Sequence, residues 1–218
     1  MPGKLSYFGL GGRGESIRAL CAHANIDYEN NVVESNQEMK ESGYSPMGGL
    51  PVWEEDGFVV CQGNSIMRYI GMRHGYYSED PQTCFNIDSL MDFAEDVILK
   101  CNFYIFALKN GKEGEELAQK RESFMQFWDK HIQVLGDRLK ASGKPFIGGT
   151  DRPSIADIKC FAQPSFIFPD ISSGTLVPEA DLAEVQAKID ACPEYKAWID
   201  RMKQENAAYY QSRPATPL

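Results

Sequence analysis

Nothing in this chain of 218 residues approaches the run of about 18–20 apolar residues that a membrane span requires, although hydrophobic residues make up 43% of it. Positive charge is scarce as well: 22 Lys and Arg stand against 31 Asp and Glu, for a formal charge of −9. A surface that reads phosphates needs a basic stripe, so nucleic acid is excluded as the main partner. Isolated basic residues remain able to serve a small acidic ligand. The three histidines, His23, His74 and His131, share no ligand spacing, and each is expected at the surface or at a helix end. The six cysteines (Cys21, Cys61, Cys84, Cys101, Cys160, Cys192) include no Cys-x-x-Cys, which leaves no pattern for a redox dithiol or a zinc site. Reduced, mostly buried thiols are the expectation. The opening residues, Met1-Pro2-Gly3-Lys4-Leu5-Ser6-Tyr7, lack an apolar signal region, which points to a cytoplasmic protein. There is no internal repeat.

What is present is organised around residues 49–70. Leu50-Pro51-Val52-Trp53 opens as a strand, Asp56-Gly57 turns it, and Phe58-Val59-Val60-Cys61 returns. Asp-Gly between two such runs is a strong hairpin signal, because a type I′ turn needs positive φ at both central positions. Gln62, Gly63, Asn64 and Ser65 then lead into the apolar-periodic run from Ile66 to Ile70. Small polar residues thus stand at a helix N-terminus, where free N–H groups and the dipole favour an anion.

Before the hairpin, Lys4 to Phe8 reads as a strand, Glu15 to Ala24 as a helix with Ile17, Leu20, Cys21 and Ala24 on one face, and Tyr28 to Val33 as a second strand. Ser35 to Gly43 is polar and weakly periodic, a short irregular helix. The order β-α-β-α-β-β-α implies a mixed sheet covered by helices. Residues 75–81, rich in Gly, Pro and polar side chains, form a connection. Beyond it the pattern is helical: Phe85 to Leu108, Glu115 to Ala141, a segment opened by Ser154-Ile155-Ala156-Asp157, then Ala180 to Ala191 and Glu194 to Asn206. Ser154 with Asp157 three residues on approximates a capping box. The fold class is α/β followed by all-α, with domains at 1–75 and 84–218. The tail from Ser212 is expected to be poorly ordered unless it is docked.

The first of these segments carries Leu5-Ser6-Tyr7-Phe8, then Arg13 and Glu15-Ser16-Ile17-Arg18. Together with Leu50-Pro51-Val52 and Gln62-Gly63-Asn64-Ser65-Ile66-Met67-Arg68-Tyr69-Ile70, this closely resembles the cytosolic glutathione transferases of the tyrosine type, in particular the alpha and sigma classes. The resemblance implies a thioredoxin-like glutathione-binding domain, an all-helical domain forming an electrophile pocket, and a homodimer. It implies glutathione as co-substrate, no metal, and detoxification of small hydrophobic electrophiles. Tyr7 falls at the tyrosine whose hydroxyl donates to the glutathione sulfur, and Arg13 at a second thiolate-stabilising group. Glutathione would be held by Tyr7, Lys40, Gly49, Leu50, a cis Pro51, Gln62, Gly63 and, across the dimer, Asp96, with Glu95 the adjacent alternative to Asp96. Gly63 departs from the family, which carries Ser or Thr after the Gln. Phe8, Leu10, Phe103, Tyr104, Leu108 and Tyr209 would line the electrophile pocket. A glutathione-dependent isomerase or peroxidase, or a catalytically silent relative such as the lens S-crystallins, is the alternative reading.

Overall fold

A computed structural model of the chain describes residues 2–35, 37, 45–172 and 174–213. Strands β1 (Gly3–Tyr7), β2 (Tyr28–Val32), β3 (Val52–Glu55) and β4 (Phe58–Cys61) form one sheet in the order β2-β1-β3-β4. The central strand β1 runs parallel to β2 and antiparallel to β3. A parallel pair needs a crossover, and helix α1 (Gly12–His23) supplies it. The β3–β4 hairpin turns at Asp56 and Gly57 with φ of 49° and 78°, the conformation that the Asp-Gly pair calls for. Helix α2 (Gly63–His74) follows and stops at Gly75, which is left-handed and spares any side chain the strain of that cap. The unit is thioredoxin-like. The helix expected over residues 35–43 falls outside the described residues except at Ser35 and Gln37.

From Pro81 onward the described residues form helices: α3 (Pro81–Lys109), α4 (Gly114–Ser142), α5 (Ile155–Ala162), α6 (Glu179–Asp190), α7 (Pro193–Glu205) and α8 (Ala207–Ser212), with a 3-10 turn at Ser165–Ile167. Helix α3 starts four residues before the periodicity suggests. Pro81 takes the first helical position, where a missing N–H costs nothing, and Asp80 accepts from the Thr83 N–H at 2.8 Å. Every residue of α5 is buried, and α5 packs on α1, α3 and α7. Its start is closed by Asp157, which accepts from the Ser154 N–H and hydroxyl at 2.9 and 2.7 Å while its other oxygen accepts from the Ile147 N–H and the Trp198 indole. Ser154 and Asp157 therefore form the expected capping box. One core runs through sheet and helices, from Leu5 and Ile17 to Trp128 and Trp198.

One expectation is corrected. His131 is neither a surface nor a cap residue: it is fully buried, stacked on Phe93 and edge-on to Trp128 and Tyr195. It lies on the same face of α4 as Phe124, Trp128 and Leu135, a helical spacing that brings it inward. Burial pushes its pKa down to about 3, so the ring is neutral. The docking that would order the tail is present as far as Arg213, the last described residue. That guanidinium pairs with the buried Glu15, donates to the Ile171 carbonyl at 2.8 Å and lies over the Tyr210 ring. The six cysteines are free thiols; Cys21, Cys101 and Cys160 are buried and the other three are partly so.

Candidate active site

Tyr7 is the last residue of β1, and its ring lies against the start of α1. Gly12 and Gly14 make that approach possible. A Cβ on Gly14 would come within 2.3 Å of the Tyr7 ring, and one on Gly12 within 2.8 Å of its hydroxyl. Gly12 also has φ of +50°, which an L side chain tolerates poorly. The Arg13 N–H donates to the Tyr7 hydroxyl oxygen at 3.1 Å. That oxygen therefore has an acceptor position filled while its own proton is free to be donated. Burial raises the Tyr7 pKa, the Arg13 N–H and nearby guanidinium groups only partly offsetting it, so the phenol is protonated at neutral pH. It is a donor rather than a base.

The Arg13 side chain faces α3, where its Nε donates to Glu95 Oε2 at 2.8 Å. The second Glu95 oxygen accepts from the Lys159 ammonium, which comes from α5 and also bonds the Asn64 side-chain oxygen. Burial works to raise the Glu95 pKa. Lys159 first and Arg13 next outweigh it, and the carboxyl sits below its usual range.

Arg13, Leu50, Pro51, Gln62, Gly63, Asn64 and Glu95 line a cleft of about 250 Å³. The Leu50–Pro51 bond is cis, and Gly49 before it is bonded through N–H and carbonyl to the Ser45 hydroxyl. Gln62 takes φ of 71° at the entrance to α2, and the helix start has no side-chain cap. Gln62, Gly63 and Asn64 of this uncapped helix start line the cleft, and the free N–H groups of a helix start attract an anion. Larger hollows exist, of about 600 Å³ beside α6 and 370 Å³ between residues 75–78 and 150–154. At the second of these the nearby helix start is already closed by Ser154 and Asp157, and the first joins no ionisable cluster to a helix end.

The structure thus brings together Tyr7, Arg13, Leu50, Pro51, Gln62 and Gly63, with Gly49 adjacent. Lys40 lies outside the described residues. Asp96 is exposed on α3 beside Glu95 and makes no ion pair with any described residue, whereas Glu95 faces inward. Phe8, Leu10, Leu108 and Tyr209 are partly buried against the core. Tyr104 is buried, with its hydroxyl on Asp181, and the exposed Phe103 carries the Lys120 ammonium over its ring, so these two face α6 and α4. On the face of α3 that carries Glu95, positions 4, 7 and 11 further on are Leu99, Asn102 and Phe106, of which Leu99 and Phe106 are exposed. Sequence reasoning missed them, as it missed Lys159. Its signal was there: one ammonium in the otherwise apolar run Ile155-Ala156-Asp157-Ile158-Lys159-Cys160-Phe161-Ala162 beside the capping Asp157. Among the described residues no group of His, Cys, Asp and Glu is arranged to hold a metal, and no helix is long and apolar enough to cross a membrane.

Residues 3–72 match the family model for the glutathione S-transferase N-terminal domain. Over 149 residues, 68% of this chain and 79% of the relative, the sequence is 30% identical to glutathione S-transferase 2 of Caenorhabditis elegans. It is 28% identical over 217 residues, 99% of this chain and 98% of the relative, to probable glutathione S-transferase 5 of the same organism. The glutathione S-transferase structure from Ascaris lumbricoides superposes with a TM-score of 0.79 at 23% identity, covering 98% of each chain.

Proposed function

Because this chain belongs to the glutathione S-transferase family and is a glutathione transferase, we propose that its chemistry runs at the Tyr7–Arg13 pair, with glutathione lying along the cleft from Leu50 to Gly63. A free thiol with a pKa near 8.5 is only a few per cent thiolate at neutral pH, and the thiolate is the nucleophile. A hydroxyl donated to the sulfur and a guanidinium beside it lower that pKa. The proton leaves to solvent, the sulfur attacks an electrophilic carbon, and with a haloaromatic the halide departs with the bonding pair. The observation that carries this reading is the Arg13 N–H donated to the Tyr7 hydroxyl oxygen, which occupies an acceptor position and leaves the hydroxyl proton available to donate.

The γ-glutamyl carboxylate meets the open start of α2 at Gln62 and Gly63, and Leu50 offers its backbone to the cysteinyl unit. Lys40 takes the glycyl carboxylate. Phe8, Leu10, Leu108 and Tyr209, with the exposed Leu99 and Phe106, give the electrophile an apolar wall. The thioredoxin-like domain spans 1–75 and the helical domain 84–218. We read the chain as a cytoplasmic detoxifying homodimer of the tyrosine type.

Support for the dimer comes from exposed apolar side chains on one side of the molecule. Phe58 on β4 packs on Tyr69 of α2, and Met72 stands one turn from Arg68, which pairs with Asp88 at 2.7 Å. Phe85, 68% exposed, precedes Asp88 by one turn on α3, and Asp96 follows it by two. A second copy seated there would cover these side chains and receive Asp96 at its own cleft, reaching the α-amino group of glutathione. The test is retention on immobilised glutathione followed by conjugation to an activated haloaromatic. Retention with turnover is expected; retention without turnover would mark a silent relative, and no retention would overturn the reading.

A further inference from the structure

Lys159 is the least expected charge in the molecule. Its side chain is 1% exposed, in a helix buried on every side, where Leu or Met would fill the space without bringing a charge out of water. Its ammonium does not reach solvent. It meets Glu95 and Asn64, two residues that line the cleft, from beneath. Glu95 in turn holds Arg13, and Arg13 holds the Tyr7 hydroxyl.

Resting on the function proposed above, we propose that Lys159 is a positioning residue, which keeps Glu95 ionised and in place so that Glu95 fixes Arg13 at the sulfur end of the cleft. The groups that act on Glu95 are Arg13 from α1, Lys159 from α5 and the Tyr7 hydroxyl from β1; the neutral Asn64 of α2 bonds Lys159 and the exposed Asp92, and Asp96 is exposed as well. Two cations on one carboxylate leave a single positive charge in excess beneath a site that receives an anionic ligand. Without Lys159 the cluster is neutral, and Glu95 keeps its burial but loses the stronger of its two partners. The carboxyl then takes a proton at higher pH, Arg13 loses its anchor, and the thiolate loses both a fixed guanidinium and the field of the buried ammonium.

The experiment compares wild type with Lys159→Met in two measurements: kcat/KM for glutathione against pH, and the thiolate absorbance of bound glutathione against pH. In Lys159→Met the acid limb moves up by about one pH unit or more, as befits loss of an opposite charge in contact, and the bound thiol titrates higher. The rate deficit is accordingly larger at pH 6 than at pH 8. A folded Lys159→Met whose limb and thiol titration coincide with wild type would overturn the proposal, even if its overall rate were lower, since a merely structural lysine moves neither. If that variant does not fold, Lys159→Met with Glu95→Gln removes both charges together and avoids the stranded carboxylate. The excess charge there is again one, so the two variants separate field from anchor: the bound thiol should still titrate higher because Arg13 has lost its ionic anchor, and a wild-type titration would overturn the proposal. Wild type that binds no glutathione overturns the function and this inference together; wild type that works beside an unchanged Lys159→Met overturns this inference alone.

Discussion

The backbone N–H of Arg13 donates to the hydroxyl of Tyr7 at 3.1 Å, tying the end of β1 to the first turn of α1. One residue therefore acts on the site twice. Its peptide group orients the phenol, and its guanidinium, anchored on Glu95, adds positive charge at the cleft. The close approach depends on Gly12 and Gly14, since a side chain at either position would strike the Tyr7 ring or hydroxyl.

Gly63, where the sequence leaves the family's pattern, is open to a test of the anion site. Its φ is not in the left-handed region, and a Cβ there would meet only Pro51 Cγ at an ordinary 3.9 Å. Gly63→Ser should therefore be tolerated and add a hydroxyl to the N–H groups already present. A hydrogen bond to a charged group contributes about 1.5 kcal/mol, so glutathione binding should tighten roughly tenfold. Ser65 is exposed and lies outside the cleft lining, so Ser65→Ala should leave the affinity unchanged. Isothermal titration of both variants checks this; loss of affinity in Ser65→Ala with no gain in Gly63→Ser would contradict it.

Asp96 and Glu95 are neighbours with different expected roles, and subunit mixing separates them. Asp96→Ala chains and Tyr7→Phe chains should each be impaired, yet mixing them should restore one native site per heterodimer, because in the proposed dimer each site takes Asp96 from the other copy. Glu95→Gln mixed with Tyr7→Phe should restore nothing, since Glu95 serves Arg13 of its own chain. A monomeric protein in sedimentation, or no recovery after confirmed subunit exchange, would contradict the shared site.

His131 makes stability depend on pH. The unfolded chain takes up a proton below about pH 6.5, whereas the buried ring does not until about pH 3. The folded state is thus penalised progressively as pH falls through that window, by at most about 1.4 kcal/mol per unit, and stability rises again as pH returns toward 6.5. Denaturant unfolding of wild type and His131→Phe from pH 7 to 4 measures it. The variant should show a shallower pH slope. Equal slopes would contradict a neutral, buried ring.

The chain announced much of this. Asp56-Gly57 specified its hairpin and Ser154-Ile155-Ala156-Asp157 its helix start because both signals are local, set by backbone conformation and a single cap. Tyr7, Arg13 and Gln62-Gly63 were legible through their resemblance to a known family, and the sheet brings them to one place. What remained hidden depends on long-range packing. Whether Glu95 or Asp96 turns inward is decided by 100° of helix rotation against Arg13 and Lys159, 82 and 64 residues away. Likewise Tyr104 is drawn inward by Asp181, 77 residues on, and Arg213 by Glu15. No local pattern encodes such pairs.

The central claim is that the Tyr7 hydroxyl stabilises the glutathione thiolate, and the most direct measurement is the ultraviolet titration of that thiolate bound to wild type and to Tyr7→Phe, read beside kcat for an activated haloaromatic. Loss of one preorganised donor to developing charge costs about 2.7–4 kcal/mol, less where Arg13 compensates. The account predicts a bound thiol titrating well below its free value in wild type and substantially higher in Tyr7→Phe. It also predicts a fall in kcat of about tenfold or more, with the glutathione dissociation constant changed far less. A Tyr7→Phe enzyme with wild-type kcat and an unshifted thiolate titration would contradict it.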